Sequence, residues 1–299
     1  MLNILRRIYH FYVRTFVSDT AYIKRKFRKK MGYELNLQHP RTLNEKINWL
    51  KLHDRTPLHS QCSDKYAVRD YVKGKIGENY LVPLYFSTED AADINERNID
   101  KFPCIIKTNH DSSGGVFLRE KEGVDWQEIQ AKMAKRMHRN YYTNSREWQY
   151  KNIKPRIIVE QLLLDDEGKI PADIKVHVFH GKPEMIQMDE GRGTDGHFRN
   201  WYSPSWDLLP MRWSSVLKNG RLTDPKNVPV DKPRSLDKIL ELSRQLAEPF
   251  LYARIDWYEV GNRIYFGEIT FHHDGGYRPI LPKEWDYKLG EKLDLQHQK

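Results

Sequence analysis

The clearest alternation of apolar and polar positions lies near the C-terminal end, in Arg254 to Phe271, RIDWYEVGNRIYFGEITF. Its period of two predicts a pair of β-strands, with Gly261 and Asn262 marking a tight turn between them. Two carboxylates, Asp256 and Glu268, interrupt the apolar strands. A two-residue turn pairs Trp257 with Phe266 and sends the acids to opposite faces; a three-residue turn, Gly261 to Arg263, sets Asp256 opposite Glu268. The second register is preferred here, with a cation between the acids, because two half-buried carboxylates side by side repel. Arg254, Asp256, Tyr258, Ile264, Phe266, Glu268 and Thr270 then share one face, which would hold a hard metal ion, and Ile255 lies against Ile269 on the other.

Elsewhere the pattern predicts an alternation of helices and strands. Residues 1–17 fit an amphipathic helix with Asn3, Arg7, His10 and Arg14 on one stripe, and 42–54 a helix with Leu43, Ile47, Leu50 and Leu52 inward. A helix over 63–77 places Lys65 in its first turn, where the helix dipole disfavours a cation and a nearby anion would relieve the conflict. Strands follow at 81–88 and 102–109. The second, with Lys107 near its end, leads into HDSSGGV, a small-residue loop (Ser112, Ser113, Gly114, Gly115) whose N–H groups can cover phosphate oxygens. After a helix at 125–139 comes a buried strand ending at Glu160, then a hairpin turning at His180 and Gly181, with Asp173 and Lys175 on one face of its first strand. Solvent exposure is the plain explanation of that last pair. Residues 191–233, rich in Gly, Arg, Trp and Pro, read as an elaborated loop of the kind that carries substrate contacts, including Arg192 and Arg199. A helix at 235–249 feeds the terminal hairpin, and a glycine-rich turn at 272–282, with His272 and Gly275, follows it.

Charge and composition narrow the function. The chain has 299 residues and a formal charge of +9, but residues 1–31 hold nine lysines and arginines against one acid, Asp19, a net +8. The excess belongs to one end, which argues against a nucleic-acid groove. That end is expected either to reach an anionic membrane surface or to pack on its own domain. Two cysteines make no disulfide framework, no apolar run is long enough to span a bilayer, and no signal-peptide cleavage site follows the first helix. A cytoplasmic protein, peripheral on the inner membrane face if the basic end binds lipid, is the expectation.

Taken in order, SDKYAVRDYV, FPCIIKTNHDSSGGV, PRIIVEQLL, DIKVHVFHGKP and RIDWYEVGNRIYFGEITF resemble the signatures of the TupA-like ATP-grasp proteins, which accompany bacterial surface-polysaccharide genes. The resemblance implies an α+β fold in which two subdomains clamp ATP. The implied division is a basic segment at 1–35, a helical part at 36–100, a small subdomain at 101–160 and a large one at 161–299. It implies that Lys65, Lys107 and the Ser112–Gly115 loop meet the phosphates, and that Lys175 faces them from the larger subdomain. Glu160, Gln161 and Leu162 begin the hinge at adenine, and Asp165 or Asp166 reaches the ribose. Asp256 and Glu268 hold Mg²⁺, with Thr270 at a third metal position that is more often asparagine, and Arg254, with Lys107, is catalytic. The implied activity is an ADP-forming ligation of a carboxylate, such as a sugar acid, to an amine or amino acid through an acyl phosphate, on a sugar nucleotide, lipid-linked or polymeric acceptor. The alternatives are a polysaccharide-modifying transferase, either an ATP-grasp kinase or a glycosyltransferase, though no closely spaced Asp-x-Asp after a strand supports the latter, and a non-enzymatic adaptor organised by the basic end.

Overall fold

A computed structural model describes residues 16–112, 114–191, 194, 196–217, 219–226 and 228–296. The helix expected over 1–17 lies almost wholly outside the described residues. The next helix, α1 (Asp19–Met31), is fixed by its ends: the Ser18 hydroxyl accepts from the Ala21 N–H, Asp19 sits in the first turn, and Gly32 closes the last turn in the left-handed region at φ 80°. Its basic residues are split by its packing. Ile23 and Phe27 are buried against Leu35 and Tyr277, while Lys24, Arg25, Arg28, Lys29 and Lys30 are exposed.

Helix α2 (Leu43–His53) opens with a reciprocal capping box between Thr42 and Glu45. The segment read as one helix over 63–77 is instead α3 (Pro57–Ser63), a turn, and α4 (Val68–Ile76). Pro57 at the start of α3 needs no N–H partner there, which makes it a natural first residue.

Two antiparallel sheets follow. The smaller has the order β1-β4-β2-β3, from β1 (Leu84–Thr88), β2 (Cys104–Thr108), β3 (Val116–Leu118) and β4 (Ile157–Gln161). One face packs Cys104, Ile106, Ile157 and Val159 on Ile129 and Met133 of α5 (Trp126–Met137). The short α6 (Tyr142–Ser145) precedes β4. The larger sheet has the order β7-β6-β5-β8-β9, from β5 (Asp173–Phe179), β6 (Lys182–Glu190), β7 (Phe198–Tyr202), β8 (Tyr252–Val260) and β9 (Arg263–Thr270). Its apolar face, including Val176, Ile186, Ile255 and Trp257, is covered by α7 (Leu236–Ala247) and α4. Trp257 is wholly buried and donates its indole N–H to Ser243 of α7 at 2.8 Å. At one end of the opposite face Phe179, Met185 and Trp201 pack on α2 and on α8 (Lys283–Lys292). The rest of that face is polar.

The chain is thus divided differently from the expected 36–100 and 101–160. Strand β1 is part of the small sheet, whereas α2 to α4 share their cores with the large one, because Leu43, Ile47, Val68 and Val72 pack in the apolar clusters built on it. The loop expected at 191–233 contains β7, hidden because HFRNWYSP carries no clean alternation. Among the described residues no helix is long and apolar enough to cross a membrane.

Candidate functional site

The terminal hairpin meets one expectation and corrects its reason. Asp256 does pair with Glu268, and Ile255 with Ile269, yet the turn holds only Gly261 and Asn262, and Trp257 pairs with Phe266. A β-bulge at Gly267 reconciles the two by adding one residue to β9. Ile264 and Phe266 therefore lie in the apolar core with Trp257 and not on the acids' face. A side chain at the bulge would crowd the protein: a Cβ on Gly267 would stand 3.1 Å from the Asp256 carbonyl and 3.1 Å from the Tyr258 ring.

Strand register then sorts the polar face of the large sheet into rows, since opposed residues share a face. One row carries Arg199, Asp189 and Asp173; the next Gln187, Lys175, Asp256 and Glu268; the third His177, Arg254 and Thr270. The cation between the acids is Arg254. Its Nε and Nη2 donate to Asp256 Oδ1 and Oδ2 at 2.6 and 2.7 Å, Nη2 also reaches Glu268 Oε1 at 2.9 Å, and Nη1 donates to His273 Nδ1 at 2.6 Å. Such bidentate, charge-assisted bonds fix orientation as well as charge. Lys175, at 5% exposure, is not explained by solvent exposure, and lies 3.0 Å from Asp173 and 2.9 Å from Asp256. Burial alone would lower its ammonium, and these carboxylates more than reverse that, holding it above its ordinary value. Thr270 donates to Glu268 Oε1 at 3.3 Å. Burial first, then the charge of Arg254, keeps His177 and His273 well below the usual histidine range, so both are neutral.

Across the cleft, the small sheet turns Ile105, Lys107, Ile158 and Glu160 toward this face. Lys107 Nζ is 2.6 Å from Glu160 Oε2, and Arg69 of α4 donates to Glu160 Oε1 and to the Val82 carbonyl at 3.0 and 2.9 Å. Lys65 lies not in a helical first turn but in the turn between α3 and α4. There its N–H donates to the Asn109 carbonyl at 3.1 Å and its Nζ to the Asp111 carbonyl. Its ammonium is pushed below its ordinary value, chiefly by burial and further by Lys107, against the pull of Glu268 and Asp111. The helix dipole is thus not the source of the conflict; burial beside a second lysine is.

The loop after β2 is braced at Asp111, which accepts from Thr108 at 2.6 Å and pairs with Arg136 of α5. Gly114, at φ 87°, is pressed on the Arg136 guanidinium. Ser113 and Arg192 lie outside the described residues. At the hinge, the Gln161 and Leu162 N–H groups donate to the carbonyls of Pro83 and Pro103 at 3.0 and 3.1 Å, so neither N–H is left to meet a base. Asp165 Oδ1 accepts from the Glu167 and Lys169 N–H groups and shapes its own turn, while Asp166 is exposed.

Beside Arg254 and Glu268 opens a cavity of about 410 Å³. Ser112, Thr270, His272 and Gly275 line it, as do Tyr141, Glu147 and Tyr150, and, from the surrounding segments, Lys26 of α1, Tyr277 and Arg278. Arg199 is held away from it: buried, it donates to Asp189 Oδ1 at 2.7 Å, to the Trp213 carbonyl at 3.2 Å and to Ser215 at 3.1 Å. Sequence reasoning missed Asp189, Arg69 and Glu147. For Asp189 a signal existed, since Gln187 and Asp189 alternate with Ile186 and Met188 opposite Lys175 and Asp173. For Arg69 and Glu147 only the tertiary arrangement supplies one.

Two antiparallel sheets facing each other across a cleft, lysines on both sides and a carboxylate pair at its floor define the ATP-grasp class. A model of TupA-like ATP-grasp proteins matches residues 45–294, and the chain belongs to that family. It is similar in structure to a D-alanine–D-alanine ligase from Bacillus anthracis complexed with ATP, at 15% identity and TM-score 0.42 over 71% of this chain and 55% of that one. It is also similar to the Helicobacter pylori D-alanine–D-alanine ligase, at 14% and 0.43 over 84% and 69%, and to a phosphoribosylamine–glycine ligase from Thermotoga maritima, at 12% and 0.39 over 71% and 48%. The chain thus spans little more than half the length of the Bacillus anthracis protein. No curated protein matches it.

Proposed function

We propose that this protein is an ATP-dependent, ADP-forming carboxylate–amine ligase working through an acyl phosphate, and that its acid is a sugar acid of a bacterial surface polysaccharide. The observation that carries the proposal is Arg254. One guanidinium binds both acids of the hairpin and borders the cavity, so it can meet charge developing on a substrate carbonyl while tied to the phosphate side. Lys65, Lys107 and Lys175 supply cations on three sides of the cleft for a triphosphate, and the braced loop after β2 supplies N–H groups.

The residues fit Mg²⁺. Asp256 and Glu268 are hard oxygen donors set directly opposite each other, and the Glu268 side chain is 43% exposed to the open side. No group of three His, Cys, Asp or Glu gathers among the described residues, as suits an ion that takes one or two protein carboxylates and completes its shell from phosphates and water. When bound at Asp256 and Glu268 it would offset phosphate charge. Burial pushes the Asp256 carboxyl above its ordinary value, against the pull of Arg254 and Lys175, whose hydrogen bonds orient it.

The exposed lysines and arginines of α1 support a location at the anionic inner face of the membrane, close to an acceptor made there. The test of the function is release of ADP and phosphate by the full chain with Mg²⁺ and ATP, over amino acids crossed with uronic-acid sugar nucleotides. The proposal requires release only when acid and amine are both present; AMP and pyrophosphate as products would exclude it.

A further inference from the structure

The cavity beside Arg254 contains charges that the cleft chemistry does not use. Arg254 is shared between Asp256 and Glu268 on the cleft side, and Asp274 accepts from Ser215 at 2.8 Å and lies 3.7 Å from Arg199. Three ionised groups remain. Glu147 is 7% exposed, and its carboxylate meets only the Gln149 amide at 3.4 Å and the His272 ring at 3.5 Å, with no lysine or arginine paired to it among the described residues. Lys26 donates to the Asn144 carbonyl at 2.8 Å and has no carboxylate partner among those residues, and neither has Arg278. Glu147 and Lys26 line one cavity without forming an ion pair, and the buried hydroxyl of Tyr277, which lines it too, has no hydrogen-bond partner among the described residues.

Glu147 attracts Lys26 and the buried Lys51 through space but makes a direct ion pair with neither, and a buried carboxylate without a direct cationic partner is costly unless a ligand completes it. We propose that this cavity binds the amine co-substrate as an amino acid, with its ammonium on Glu147 and its carboxylate on the side of Lys26 and Arg278. Lys26 and Arg278 thereby select against amines that carry no acid group. This rests on the ligase reading for the identity of the ligand as co-substrate, but its geometry does not need ATP. One wall is built by α1, which delivers Lys26 and lies outside the residues that match the family. The wall is held in place by Asp19, which bonds Arg55 at 3.0 Å and the Tyr142 hydroxyl at 2.6 Å.

Calorimetry on the full chain decides it, using each of the twenty common amino acids and their D-enantiomers, the methyl ester and N-acetyl derivatives of whichever binds, and glucosamine as an amine without a carboxylate. ATP binding is measured in parallel. At least one amino acid is expected to bind, with affinity falling about tenfold or more on N-acetylation and in Glu147→Gln. Lys26→Met is expected to weaken the free acid about tenfold while leaving the methyl ester unchanged, and both variants should keep the wild-type ATP affinity and thermal midpoint. No binding anywhere in the panel, equal binding of N-acetyl derivatives, glucosamine bound as well as the amino acids, or no change in Glu147→Gln overturns the proposal. Loss of ATP binding in the wild-type protein would instead overturn the ligase reading.

Discussion

The cleft and the cavity share Arg254 and Glu268 but treat charge in opposite ways. In the cleft the cations already have partners: Lys107 with Glu160, Lys175 with Asp173 and Asp256, Arg254 with Asp256 and Glu268. In the cavity Lys26, Glu147 and Arg278 make no direct ion pair of lysine or arginine with carboxylate among the described residues. A ligand that brings its own counter-ion can enter the first by exchanging partners; the second waits for a ligand of matching charges. The cleft is therefore also part of what holds the fold together, and the cavity is not.

The largest effect should come from breaking the cleft at its centre. Asp256→Asn leaves Arg254 and Lys175 buried with less than their countercharge, which costs about 3–5 kcal/mol in urea unfolding and lowers ligase turnover by roughly a thousandfold. Glu147→Gln sharpens the contrast, because its unfolding free energy should stay within about 1 kcal/mol of wild type. Next, if Lys107 leaves Glu160 for phosphate as proposed, Lys107→Met should raise the Kd for ATP about 10- to 100-fold in a calorimetric titration.

Gly267→Ala tests the bulge that aligns the acids. The added methyl must displace the Asp256 carbonyl or the Tyr258 ring, so a loss of about 1–3 kcal/mol is expected in urea unfolding, with a fall in turnover as Glu268 moves. A further effect, seen only as a pH dependence, concerns Lys51, which is buried over the Tyr277 ring at 4.0 Å and whose ammonium is lowered by burial to about 7, with Glu147 opposing. The unfolded chain holds that proton up to about pH 10.4 and the folded one releases it near 7. Stability should therefore rise between those values by about 1.4 kcal/mol per pH unit relative to Lys51→Met, which denaturant titrations at pH 8 and 9 would reveal.

Most strands and helices were legible because their apolar periods are long, as in Trp126–Met137 and in the hairpin of Tyr252–Thr270. The pairing of Asp256 with Glu268 was legible too, yet its cause was not: a bulge needs only one extra residue, and Gly267 looks like any strand glycine until Tyr258 is seen against it. The strand pattern by itself left solvent exposure open for Lys175 and Asp173, because alternation says which side a residue faces and nothing about whether that side meets water. Lys26 was one basic residue among nine near the N-terminus, and only the docking of Ile23 and Phe27 on Tyr277 and Leu35 turns it toward the cavity. Glu147 sits in a stretch without a clear period, so nothing local marked it.

The acyl phosphate is the centre of the account, and oxygen-18 follows it directly. With the acid substrate labelled at its carboxylate, one labelled oxygen should leave in the inorganic phosphate, formed in step with ADP and with the amide. Label appearing in AMP, or phosphate released without label, would contradict the mechanism assigned to Arg254 and the paired acids.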